Sequence, residues 1–452
     1  MRTLFRFIPA FVVLLFASET VLPQTAEFSV DSIRGITKNC AQYRLKRGVN
    51  KLTDAYGTNN YTWDIGAYMT GIMALYRNTR EQWVLDSATK WANNNNWSPN
   101  AGINTTNGDD QCCEQTFCDI WLLNKNAADM NKMTKPSLDN MKQMFDVNRS
   151  TGRSRWWWSD ALYMSPPAIA RVFASYNVSN AFDANRLLDS MDEYWKDCAA
   201  FLYSTQYKLW FRDGGWFYPA QKTANGSPVF WSGCNAWAVA GQARVLQYMP
   251  ATYKDRGYHV QQFTDLCDAI RKAPALGTDG LWRTSLLDYN QFPEKESIAS
   301  AFFAFAFCWG INNGILDKAT YEPLVRKAWS ALVANIGADG RLQWCQTINL
   351  QPDHVQQNFS APEGEGAFML LGEELANMVT GTAVATATRN GRAVPFDRCK
   401  PSSTFDLCGR RIQPKTGYAH AYVSVVAGQK HLQTGTARTG RLNKTAAAKQ
   451  DP

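Results

Sequence analysis

Histidine is scarce. The 452-residue chain has four, at His259, His354, His420 and His431, with no clustering. No CxxC and no Cys/His grouping has metal-ligand spacing, so no zinc site is expected. Long apolar runs are also missing beyond the N-terminus, so no membrane-spanning helix is expected. The body lacks a charge surplus. Of the net +8, all resides in residues 391–452, where eleven Lys/Arg face three Asp/Glu. A balanced body offers no cationic track for phosphates, which excludes nucleic acid as its partner. The basic tail reads either as a solvated flexible segment or as an arm touching acidic polysaccharide.

What is present points outward from the cell. Arg2 and Arg6 precede a short apolar stretch, Ile8 to Ala17, which has the form of a cleavable signal within residues 1–26. Asn-x-Ser/Thr sequons begin at Asn60, Asn104, Asn148, Asn177, Asn225, Asn358 and Asn443. Eleven cysteines in an oxidising compartment predict disulfides, with at least one thiol left over. Cys399 and Cys408 are spaced to close a small loop in the tail. A secreted, monomeric protein is expected.

Seventeen tryptophans are a heavy load. Each is a large flat apolar face with one N–H donor, suited to helix packing or to stacking on sugar rings. The segment Arg155-Trp156-Trp157-Trp158-Ser159-Asp160-Ala161-Leu162-Tyr163-Met164 sets a carboxylate directly behind three of them. A partly desolvated carboxylate has a raised pKa, as a proton donor near neutral pH requires. The alternative is that Asp160 caps a helix. Asp109-Asp110 opens a second such region and admits the same two readings. In Phe230-Trp231-Ser232-Gly233-Cys234-Asn235-Ala236-Trp237, two tryptophans flank small residues and can form either a slot for a planar ring or an inter-helix contact.

Polar or aromatic clusters at apparent helix starts recur near Trp63, Asp109, Asp160, Asn235, Glu296 and Glu363. The helix after each is apolar around most of its surface, as in Ala301–Trp309, which implies burial on all sides. The helix after that is amphipathic, as over Arg80–Asn93 and Lys318–Ile336. Asp-Gly turns at Asp213, Asp279 and Asp339 punctuate the pairs. Six hairpins with buried inner and amphipathic outer helices predict an all-α, double-shelled (α/α)6 toroid over residues 27–385, with an irregular bundle as the competing arrangement. Residues 386–452 form the basic, partly disordered extension. In a toroid the six clusters meet at one end around a single cleft.

Trp157-Trp158-Ser159-Asp160-Ala161-Leu162-Tyr163-Met164 resembles the Trp-x-Asp-x-Leu-Tyr-Met segment of glycoside hydrolase family 105, the unsaturated rhamnogalacturonyl hydrolases. The unsaturated glucuronyl hydrolases of family 88 are more distant relatives. Asn107-Gly108-Asp109-Asp110-Gln111 resembles that family's Ala-Asp-Asp-Gln, and the Trp231–Trp237 segment its Trp-x-Arg-Gly-Asn-Gly-Trp. Lys295-Glu296-Ser297-Ile298-Ala299-Ser300-Ala301 stands where the family has Lys-Glu-Thr-Ser-Gly-Thr-Ala. The resemblance spans roughly residues 60–375. It implies the six-hairpin toroid and removal of a 4,5-unsaturated uronic acid from the non-reducing end of pectic oligosaccharides. Asp160 would be the acid/base, and Asp109 would orient substrate or water. Asp110, Trp158, Met164, Arg212, Trp231 and Trp237 would bind substrate. Protonation and hydration of a double bond call for no cofactor and no metal. One family residue is missing: Gly233 stands where relatives have an arginine that holds the acidic sugar. Arg212, Arg155 and Arg283 are the candidate substitutes. A carbohydrate-binding protein without activity, or a toroidal polysaccharide lyase, are the alternatives on the same scaffold.

Overall fold

The computed structural model describes residues 26–49, 51–52, 61–177 and 184–381, together with four short strands in the C-terminal segment. The signal-peptide reading, Asn60, Asn443, Cys399 and Cys408 lie outside the described residues.

Six helices form an inner ring: Trp63–Thr79, Glu114–Asn124, Pro166–Asn177, Ser232–Leu246, Ser297–Asn312 and Pro362–Thr380. These are the helices expected after the six clusters. In Ser297–Asn312 every residue from Ser297 to Gly310 is buried, as its unbroken apolar surface requires. Outer helices alternate with them: Val30–Leu45, Gln82–Asn94, the pair Ala127–Met133 and Lys135–Lys142, Asn185–Leu202, Arg256–Lys272 and Lys318–Val333. In Lys318–Val333 the buried side chains are Tyr321, Val325, Ala328, Trp329 and Leu332, a single stripe at helical spacing. Trp329 stacks on Phe368 of the inner ring with 4.8 Å between ring centroids.

The chain starts with an outer helix, and this helix closes the circle. Val30–Leu45 packs on the last inner helix, Pro362–Thr380, which packs in turn on Trp63–Thr79. Two features hold the seam. Arg44 grips Glu365 through two hydrogen bonds of 2.7 and 3.0 Å, with both side chains fully buried. Inner helices one and six also meet backbone to backbone. A Cβ on Gly71 would lie 2.5 Å from the Gly366 carbonyl oxygen, so only glycine fits.

Two of the three expected Asp-Gly turns behave as equivalent parts of a repeat, whereas Asp213 instead caps a 3-10 turn over Gly214–Trp216. Gly280 and Gly340 both adopt φ +92°, and the short bridges Leu276–Trp282 and Ile336–Leu342 close around them. The toroid is helical as expected, apart from one short antiparallel pair, Tyr203–Ser204 with Leu209–Trp210. The C-terminal segment adds Thr404–Phe405, Arg411–Ile412, Tyr422–Val426 and Gln429–Gln433 in one antiparallel sheet.

The expected disulfides are not formed among the described residues. Nine cysteines, from Cys40 to Cys345, are unpaired and buried. They serve as small apolar packing residues on helices and their ends. Among the described residues no helix is long and apolar enough to cross a membrane.

Candidate active site

The starts of the inner helices face one cleft with about 800 Å³ of empty space. Trp63, Asp109, Trp158, Asp160, Met164, Arg212, Trp231, Trp237, Glu296 and Glu363 all line it. Seven of the eight site residues expected from sequence are therefore brought together. The exception is Asp110. Its carboxylate turns away and accepts from Asn100 Nδ2 at 2.9 Å and Thr105 Oγ1 at 2.6 Å. It braces the 98–107 loop. Its neighbour Asp109, one helical residue earlier, faces the cleft instead.

Asp160 precedes the Ala161–Met164 turn but makes no side-chain cap bond there. The capping alternative is thus not the geometry found. Its approach is fixed by a bridge between Trp158 and Asp213 and by the Ser159 amide donating to the Arg212 carbonyl at 2.8 Å. That pairing carries Arg212 to the carboxylate, with Nε 3.7 Å from Asp160 Oδ2. Neither atom makes a hydrogen bond. The Arg212 Nη1 donates to Asp213 Oδ2 at 2.7 Å, and the guanidinium lies over the Trp157 ring.

Burial pushes Asp160 up to about 6, and Arg212 opposes the rise. Asp109 is pushed up to about 7 by burial first, then by the charges of Asp160 and Asp110. Both are therefore acids poised near neutrality.

Two further carboxylates line the cleft. Sequence marks Glu296 and Glu363 as helix starts and sets Glu296 in a family-like motif, but assigns neither a role in the site. Glu296 caps Ser297–Asn312 by accepting from the Ile298 and Ala299 amides at 2.8 and 2.6 Å, and the Gln346 amide donates to it at 3.2 Å. Burial still raises it to about 7. Glu363 lies in the first turn of Pro362–Thr380 and rises to about 8 through burial and the nearby Asp64. The usable signal for both is their position in the repeat, at the starts of inner helices.

The aromatic wall is rigid. Trp237 meets Tyr163 at 4.9 Å, Phe302 at 4.7 Å and Trp63 at 5.8 Å between centroids. Trp231 donates from Nε1 to Gln346 Oε1 at 2.7 Å. Its indole lies across Gly233, where a Cβ would come within 2.5 Å of the ring. The place of the missing arginine is thus filled by tryptophan. Of the three substitutes considered, Arg212 alone lines the cleft. Arg155 donates to Thr106 and to the Asn148 carbonyl, and Arg283 pairs with Asp279 in its turn. Among the described residues no group of three or more His, Cys, Asp or Glu is placed to hold a metal ion.

Known proteins resemble this chain in sequence and fold. The family model described as Glycosyl Hydrolase Family 88 matches residues 36–379. An unsaturated 3S-rhamnoglycuronyl hydrolase from Formosa agariphila is 31% identical over 328 residues, covering 70% of this chain and 84% of that protein. A solved glycosyl hydrolase family 88 structure from Bacteroides vulgatus has a TM-score of 0.67 at 27% identity, over 77% of this chain and 99% of that one. A solved structure named as a polysaccharide lyase gives 0.67 at 28% identity, over 78% and 98%. The chain is a glycosidase and belongs to glycosyl hydrolase family 88, one of the two families its motifs resemble.

Proposed function

We propose that this enzyme, secreted from its cell, removes a 4,5-unsaturated uronic acid from the non-reducing end of rhamnose-containing oligosaccharides of the rhamnogalacturonan type. The carrying observation is the pair Asp160 and Asp109, whose burial pushes them up to about 6 and about 7, in an aromatic cleft whose lining carries the cation Arg212. Flat indoles accept the planar, half-unsaturated ring, and the guanidinium suits its carboxylate.

Chemistry follows from those positions. Asp160 gives its proton to C4 while water adds to C5. The water's proton returns to Asp160, so the acid is regenerated. The resulting hemiketal opens to a C5 ketone, leaving C1 as a hemiacetal that expels the remaining sugar. One acid/base group suffices, and Asp109 orients the water or the ring. Glu363, neutral below about pH 8, donates a hydrogen bond to a sugar hydroxyl.

The Formosa relative is named for a 3S-rhamnoglycuronyl substrate, whereas the motif resemblance leads to pectin. Both place rhamnose beside the unsaturated uronide. Near-ultraviolet absorbance of the conjugated double bond decides the reaction. A hydrolase bleaches it. A lyase, the activity for which one similar solved structure is named, raises it. A sugar-binding protein leaves it unchanged. Parallel assays with pectic and 3-sulfated disaccharides decide the saccharide, and no bleaching of either would end the proposal.

A further inference from the structure

Arg212 and Asp160 are paired without being bonded. Their facing atoms stand 3.7 Å apart, too far for a hydrogen bond, and both are buried without a hydrogen-bond partner. Buried polar atoms left unmatched in this way are costly and mark a place where a ligand completes the set. Part of the guanidinium is already committed: Asp213 holds Nη1, and the Trp157 ring supports one face. The edge formed by Nε and Nη2 remains to offer. At the other wall of the cleft, Trp231 over Gly233 closes the position from which a second guanidinium would reach.

We propose that Arg212 is shared between two carboxylates in turn: it neutralises Asp160 in the empty cleft, and the carboxylate of the incoming uronide takes its Nε edge and frees Asp160 to hold the proton it donates. The proposal rests on the function proposed above and adds a positioning role that the substrate itself switches. An anion bound to Arg212 removes the attraction that keeps Asp160 ionised and adds a like charge nearby. Both effects favour the protonated acid. The other groups around the pair act in the same sense or stay fixed. Asp213 remains bonded to Arg212, while Asp109 is raised by burial and by the charges of Asp160, Asp110 and Asp64. Glu296 and Glu363 line the same cleft and are raised by burial. A substrate without a carboxylate would bind the sugar slot but leave Asp160 tied.

The test compares the unsaturated disaccharide acid with its methyl ester, following loss of the double-bond absorbance across pH. The profile of kcat/KM reports the free enzyme, and that of kcat reports the complex. For the acid, the alkaline limb of kcat/KM should fall near pH 6, and that of kcat about one unit higher. For the ester, the two limbs should coincide, with kcat/KM reduced on the order of a hundredfold. Arg212→Gln should abolish the separation for the acid and erase most of the acid-over-ester preference, while Arg212→Lys should restore part of it. Equal limb separations for acid and ester, or a preference that survives Arg212→Gln, would overturn the proposal. The ester arm uses the unaltered enzyme, so misfolding of a variant does not blunt it. If the wild-type protein bleaches neither compound, the hydrolase reading itself fails and takes this inference with it.

Discussion

Glu363→Gln gives the sharpest test of the site's electrostatics. Glu363 is buried at the cleft wall, and its acid is raised from 4.5 to about 8. A carboxyl whose folded pKa lies above its unfolded one favours the folded state fully only below the unfolded value. As pH climbs from about 4.5 to 8, the unfolded chain ionises first, and stability drains at roughly 1.4 kcal/mol per pH unit. Between pH 5.5 and 7.5 this single group should therefore remove about 2–3 kcal/mol. Glutamine is the neutral isostere and does not titrate, so Glu363→Gln should lose that much less across the same interval. Asp109, Asp160, Glu296 and Glu374 are raised too, but they remain in both proteins and cancel in the comparison. Urea unfolding followed by tryptophan fluorescence at three pH values supplies the slopes. Parallel slopes for wild type and variant would mean that Glu363 is already ionised, and the picture of a neutral donor at the cleft wall would be wrong. Activity offers a second reading. Below pH 7 the variant should keep kcat within a few-fold, because an amide can replace a neutral acid as donor.

Asp160→Asn should lower kcat for double-bond bleaching by about a thousandfold or more, since general acid–base groups supply factors of that order, while the variant unfolds in urea no more easily than the wild type. Near-normal turnover would remove Asp160 from the chemistry. Gly233→Arg, although it restores the arginine of related sequences, should raise KM and cost roughly 1–3 kcal/mol of stability, because its Cβ meets the Trp231 ring at 2.5 Å. Arg44→Leu should destabilise by about 3–5 kcal/mol in urea unfolding by stranding Glu365 without its bidentate partner. A loss under about 1 kcal/mol would show that the seam is held by packing alone.

The toroid was legible because its inner helices obey an unusual rule. Apolar surface on every side, preceded by a polar or aromatic cluster, has one stable setting, inside a second shell of helices. The outer helices followed from ordinary amphipathic spacing, and Lys318–Val333 ends three residues before the expected boundary. Ring closure was not legible. Arg44 and Glu365 are 321 residues apart, and no local pattern announces their meeting. Among the described residues the disulfide expectation failed for a related reason. It came from the compartment suggested by the N-terminus, whereas each described thiol serves as a small buried packing group.

Within the cleft, sequence found the carboxylates that follow odd neighbourhoods and missed those in plain ones. Asp160 stands behind three tryptophans, whereas Glu363 looks like a common first-turn acid and Glu296 like a helix cap within a family-like motif, and only the ring makes them neighbours of Asp160. Asp109 and Asp110 could not be separated, because one residue of helix turns a side chain through about 100°. Hydrogen bonds from Asn100 and Thr105 then decide which acid is left for the substrate. Gly233 carries the furthest consequence. A sequence shows only that an arginine is absent. The structure shows the Trp231 indole, pinned by Gln346, lying where any side chain on residue 233 would begin, so the glycine and the indole's position go together. A cleft that gives up a cation on one wall must meet an anionic ring from another. Arg212 is the cation that lines it, and it reaches the cleft only because Trp158 bridges to Asp213. In the proposed reaction, recognition of the uronate and ionisation of Asp160 are therefore tied to the same guanidinium, which makes substrate charge, rather than substrate shape alone, the quantity to vary.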